Sequence, residues 1–187
     1  RKRSGQMPEA VIVAATRSPI GRAHKGSLVD MRADDMAIQM ASAALAQVPQ
    51  LDPADVDDVL LGCAQPAGEQ GYNLGRVDAV GLGLDSVPGT TVHRYCASSL
   101  QAIRMAMHAI RAGEGHAFLC VGVESVSRYG KGKSDGLPDP HPPRYAAAEA
   151  RTTRRAQGNA DPWRDPRASG ELPDLYIAMG ETAENVA

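Results

Sequence analysis

Three short apolar runs, residues 59–63 (V-L-L-G-C), Gly89–Val92 and 117–123 (A-F-L-C-V-G-V), show no strict polar/apolar alternation, and stretches with helical spacing lie between them. A strand that is apolar on both faces must be covered on both faces, and helical connections bring the chain back to the same end of a sheet, so this order predicts a largely parallel α/β layered fold. A further run at residues 11–15 (V-I-V-A-A), closed by T-R-S-P-I-G, reads as another buried strand. Residues 33–47 read as a helix with Met36, Met40 and Ala44 four apart and Pro49 as its stop. Residues 73–84 form a weaker helical stretch. Leu100, Ile103, Met107 and Ile110 mark the clearest helix, ended by Gly113.

Composition narrows the class. With 43% hydrophobic and 22% charged residues the chain reads as globular, and with 4% aromatics its core is built from Ala, Val, Leu, Ile and Met. A formal net charge of -2 gives no global reason to expect a nucleic-acid or anionic-membrane partner. No apolar run is long enough to span a bilayer, and the reading is of a cytoplasmic protein. Residues 1–6 (R-K-R-S-G-Q) look detached from the rest of the chain, a leader or remnant rather than a targeting signal. Cys63, Cys96 and Cys120 lie too far apart for a C-x-x-C metal or redox site, so no metal is expected and one reactive thiol is plausible. Glycines 81, 83 and 89 lack the strand and helix a dinucleotide fingerprint requires.

From Tyr129 to Pro173 the composition shifts to proline, glycine and charge, with P-D-P-H-P-P and D-P-W-R-D-P. This reads as an excursion of loops and short elements, partly packed around Trp163 and the L-Y-I-A-M segment that ends at Met179. Arg151, Arg154 and Arg155 form a basic group there, either a solvated face or a contact for phosphates.

The chemistry concentrates at V-H-R-Y-C-A-S-S-L-Q-A. Cys96 falls between a strand and a helix, where free backbone N–H groups and the positive end of the helix dipole favour a thiolate and a developing oxyanion. By position alone it is either a nucleophile or a buried structural cysteine. His93 is three residues away, and strand alternation turns it to the opposite face.

The residues themselves resemble the thiolase family, the acetyl-CoA acetyltransferases and 3-oxoacyl-CoA thiolases, whose nucleophile segment runs approximately V-N-R-x-C-x-S-G-L-Q-A. A-T-R-S-P-I-G-R, G-C-A-Q-P-A-G-E-Q-G-Y-N-L-G-R, G-V-E-S-V-S-R and M-G-E-T-A-E-N-V-A are similar to further family segments, in the family's order. The flavour is similar to actinobacterial thiolases of fatty-acid or sterol degradation. The resemblance implies an N-terminal thiolase domain at residues 7–125, a five-stranded mixed sheet with helices on both faces. It implies the start of a coenzyme-A-covering loop domain at 126–187, and a C-terminal thiolase domain absent from these residues.

What it implies for function is acyl transfer: Cys96 takes the acyl group of a 3-oxoacyl-CoA as a thioester, releasing acetyl-CoA, or runs the reverse Claisen condensation. Coenzyme A is then substrate, with no covalently bound cofactor. Met179 matches a position lining the pantetheine channel, and Asn73 and Arg76 match structural support near the site. The family's activating histidine and second cysteine come from G-H-P and C-x-G motifs that these residues lack, so little turnover is expected of this chain alone. His24, His108, His116 and His141 lie in no matching motif. The resemblance also implies a homodimer or tetramer, with the strand before Cys96 near the two-fold axis.

This chain departs from the pattern with His93 for Asn, Ser99 for Gly, and Ala178 for a coenzyme-facing His. Two other readings stay open. One is a non-catalytic acyl-CoA-binding or scaffold subunit, and the other is a carrier-protein-dependent condensing enzyme of the same superfamily.

Overall fold

The computed structural model describes residues 8–131, 141–158 and 163–186. The chain forms two compact units, Arg1–Ser134 and Asp135–Ala187. In the first, three strands build a parallel sheet: β1 (Asp58–Gly62), β2 (Gly89–Val92) and β3 (Phe118–Gly122), in the order β2-β1-β3. Three helices connect or precede them: α1 (Ala33–Leu45), α2 (Leu74–Gly81) and α3 (Ser98–Ala112).

The absence of alternation in β1 has its expected consequence. Val59 and Leu61 point into a core shared with Ala33, Ala37 and Ala41 of α1 and Leu74 and Ala79 of α2. Leu60 points the other way, against Ala102 and Ala106 of α3. Alanines on the helix faces let the backbones come close to the sheet, and both faces of the central strand are dry. Gly113, at φ 79°, ends α3 in the left-handed conformation that glycine adopts without strain.

The strand expected at residues 11–15 does not form. The segment makes no strand pairing, and Val11, Ile12 and Val13 are 68%, 75% and 71% exposed. An apolar run becomes a strand only where a neighbour completes its hydrogen bonds. The described residues therefore contribute three strands, all parallel, to the sheet.

The second unit holds more helix than its composition suggested: α4 (Ala146–Ala156) and α5 (Met179–Val186). Asp174 receives Arg151 Nε at 2.8 Å and Arg155 Nη2 at 2.7 Å, and Arg155 also donates to Glu181 at 2.6 Å. Trp163 Nε1 donates to the same Asp174 at 3.3 Å. Arg151 and Arg155 are thus already paired with carboxylates, which overturns the phosphate-contact reading for those two.

Candidate active site

The carboxyl ends of the three parallel strands converge on the loops where open α/β sheets place their chemistry. β2 leads through His93, Arg94 and Tyr95 to Cys96, and α3 starts two residues later at Ser98. The turn is held by Ala97 N–H donating to Arg94 O and Ser98 N–H to Tyr95 O, both at 3.0 Å. The buried Ser98 hydroxyl closes it from inside, accepting from Arg94 N–H at 2.9 Å and donating to Tyr95 O at 2.6 Å. Tyr95 sits at φ 44°, a left-handed conformation costly for a tyrosine and sustained by these bonds.

No side chain caps α3, whose first turn begins beside Cys96. The N–H groups of Ser99 and Leu100 have no acceptor among the described residues. Such a terminus favours negative charge, either a thiolate or the oxygen of a tetrahedral adduct.

The three cysteines differ sharply. Cys96 is exposed, Cys63 is fully buried and Cys120 is partly buried. Burial, reinforced by the nearby Glu124 carboxylate, pushes the Cys63 thiol up to about 11, and burial alone pushes Cys120 up to about 11. Neither of these two forms a useful thiolate near neutrality.

Around this point the loops after β1 and β3 are tied together by residues the sequence did not single out. Glu124 accepts from Ala64 N–H at 2.6 Å and from Gln70 Nε2 at 2.8 Å, while the Gln70 side-chain Oε1 accepts from Ser125 N–H at 2.7 Å. Gln70 is buried, so this is an internal clamp. In the sequence Gln70 and Glu124 lie in the segments G-C-A-Q-P-A-G-E-Q-G-Y-N-L-G-R and G-V-E-S-V-S-R, with nothing in either that pairs them.

Asn73 and Arg76 are gathered at the other end of β2. Asn73 Nδ2 donates to Gly89 O at 2.8 Å, and Arg76 donates to Val87 O at 2.6 Å and Asp85 O at 2.9 Å. They fix the entry into the strand whose exit carries Cys96. His93 packs its ring edge-on to Tyr95, with centroids 4.5 Å apart. Met179 opens α5 in the second unit and is 70% exposed. His108 and His116 are exposed, and His141 lies 2.8 Å from Glu149 and stacks on Tyr176. Among the described residues no group of three or more His, Cys, Asp or Glu could hold a metal ion, and no helix is long and apolar enough to cross a membrane.

A parallel sheet covered by helices, with an exposed cysteine at a strand-to-helix turn, defines the class as layered α/β. The family model for "Thiolase, N-terminal domain" matches residues 10–163, and the chain belongs to the thiolase family, as part of its N-terminal half. It is 42% identical over 186 residues to the beta-ketoadipyl-CoA thiolase of Acinetobacter baylyi, covering 97% of this chain and 43% of that protein. It is 46% identical over 123 residues to the 3-oxoadipyl-CoA/3-oxo-5,6-dehydrosuberyl-CoA thiolase of Escherichia coli, covering 65% of this chain and 30% of that one. The acetyl-CoA acetyltransferase of Syntrophomonas wolfei superimposes with a TM-score of 0.61 at 30% identity, over 72% of this chain and 35% of that one. The chain therefore spans less than half the length of the curated relatives it matches.

Proposed function

We propose that the chain is the nucleophile-bearing part of a thiolase that cleaves 3-oxoacyl-CoA, with Cys96 as the residue that becomes acylated. The observation that carries this is the contrast among the cysteines: the exposed one lies at an uncapped helix start, and burial holds the other two as thiols. Curated relatives named as thiolases of beta-ketoadipyl-CoA, 3-oxoadipyl-CoA and 3-ketoacyl-CoA support the substrate class.

In this reading the Cys96 thiolate adds to the 3-carbonyl carbon, and the oxygen takes the electron pair. Collapse re-forms the carbonyl and breaks the C2–C3 bond, whose electrons leave on C2 as the enolate of acetyl-CoA. A proton on C2 completes acetyl-CoA, leaving the shortened acyl group as a Cys96 thioester. The thiol of a second coenzyme A then loses its proton, attacks that thioester and returns the thiolate to Cys96. The N-terminus of α3 steadies charge on the sulfur, and Asn73 and Arg76 support the strand behind it.

The proton transfers belong to groups the resemblance assigns to the C-terminal half of the full enzyme. Met179 lines the pantetheine channel in the same reading. The enzyme is a cytoplasmic homodimer or tetramer of lipid breakdown, on fatty or sterol acyl chains. Among the described residues β2 is an edge strand with no strand paired on its outer side, where Asn73 holds the Gly89 carbonyl at the strand's start, and in this reading a second copy approaches that edge.

The test is intact-mass analysis of the full-length enzyme after brief exposure to acetyl-CoA, with peptide mapping. One acetyl group at Cys96, lost in Cys96→Ser and discharged by free coenzyme A, is the expected result. A full-length enzyme that turns over 3-oxoacyl-CoA with Cys96→Ser in place contradicts it.

A further inference from the structure

We infer that Gly62 and Gly122 are positioning residues for Cys96: they let the first turn of α3 rest directly on the carboxyl ends of β1 and β3, and the contact between positions 122 and 99 has room for a single Cβ.

A methyl group at Gly62, the last residue of β1, would overlap the Ser98 carbonyl carbon and the Ser99 nitrogen and lie 2.6 Å from Ser98 O. Those are backbone atoms of the helix and cannot rotate away. A methyl group at Gly122, the last residue of β3, would stand 2.6 Å from the Ser99 Cβ, with Ser99 Oγ at 3.4 Å and Cα at 3.7 Å. Here the obstacle is one side chain. The two glycines end adjacent strands paired in register, Gly62 opposite Gly122, so together they form a flat shelf under Ser98 and Ser99.

What rests on that shelf is the turn carrying the sulfur. Ser98 bridges Arg94 N–H and Tyr95 O through its hydroxyl, so displacing Ser98 displaces the left-handed Tyr95 and with it Cys96. A side chain at either glycine therefore acts on Cys96 through the helix start. In a site where misplacement by about 1 Å can cost about a hundredfold in rate, that is a large lever.

The inference rests on the Cys96 reading, and the experiment separates the two. The full-length enzyme is pulsed with iodoacetamide near neutral pH, and alkylation at each cysteine is followed by mass spectrometry. Fully buried Cys63 and partly buried Cys120 report whether the fold has opened. Gly122→Ala is expected to slow Cys96 by about tenfold while Cys63 and Cys120 stay protected. Adding Ser99→Gly to it, which leaves one Cβ at the contact, restores the rate to within about twofold. Gly62→Ala also slows Cys96, and Ser99→Gly does not restore it, because the overlap there is with backbone. An unchanged rate in Gly122→Ala, failure of the double variant to recover, or loss of protection at Cys63 and Cys120 in the same step would overturn the inference. Should the wild-type Cys96 react no faster than Cys63 and Cys120, it is the nucleophile reading that fails instead.

Discussion

Asp78 shows how one buried group shapes the behaviour of this fold. It lies on α2 with no exposed surface, and neither carboxyl oxygen has a hydrogen-bond partner among the described residues. Burial first, and then the like charge of Asp34 on α1, push its acid up to about 7. A raised carboxyl favours the neutral form in the folded state, so its cost to stability is absent below about pH 4 and grows as pH rises to about 7. Asp78→Asn should therefore raise the melting temperature at pH 8 and leave it nearly unchanged at pH 4. The gain at pH 8 is on the order of 2–4 kcal/mol. Thermal melts at the two pH values check it, and an equal effect at both would show that charge is not the cause. Groups such as Asp57, whose carboxylate accepts the N–H of His116 at 2.6 Å and of Ala117 at 2.9 Å, act with the opposite sign. Held below the usual range, they contribute stability above about pH 4 that is lost as acid protonates them.

At the scale of elements, loops and helix starts matter as much as the core. Arg76 closes the turn into β2 with bonds to the carbonyls of Val87 and Asp85. Its replacement by Ala should cost about 1.5–3 kcal/mol in chemical denaturation, and Arg76→Lys should recover only part, because one ammonium nitrogen replaces the two guanidinium nitrogens that reach the two carbonyls separately. No loss in Arg76→Ala would mean the loop holds itself. Ser98→Ala should slow Cys96 alkylation with little change in overall melting, since the bonds it loses are local to the 94–98 turn. A drop in melting without a change at Cys96 would reverse that assignment.

The elements legible in the sequence were those whose pattern and partner coincide. α3 begins and ends near its predicted bounds because its apolar spacing and its glycine stop are both local signals, and β1 is read correctly because it is buried on both faces. Residues 11–15 carry the same local signal but lack a neighbour. α4 was hidden inside a proline-rich, charged region although A-A-A-E-A is itself a strong helix former. In the site, Cys96 stands out by residue type and setting. Gln70, Glu124 and the acids that neutralise Arg151 and Arg155 do not, since pairings across 19 to 60 residues leave no periodic trace. Asp78 reads as an ordinary polar position on a helix until the packing shows it inside.

For the molecule as a whole, the sheet predicts a gradient of stability. β1 is paired on both sides and packed on both faces, whereas residues 11–15 are unpaired and exposed. Hydrogen exchange of the full-length enzyme should find the amides of Val59, Leu60 and Leu61 among the slowest. Rapid exchange across β1 would contradict the layered core. The proposed reading gives the chemistry to the exposed Cys96 and none to the buried Cys63 or the partly buried Cys120. The most direct measurement is a brief iodoacetamide pulse at pH 7 on the full-length enzyme, with the three cysteines quantified by peptide mass spectrometry. The account predicts modification at Cys96 at least about a hundredfold faster than at Cys63 or Cys120, since thiols with values near 11 hold only a minute thiolate fraction at neutrality. Equal rates at all three cysteines in a folded protein would contradict it.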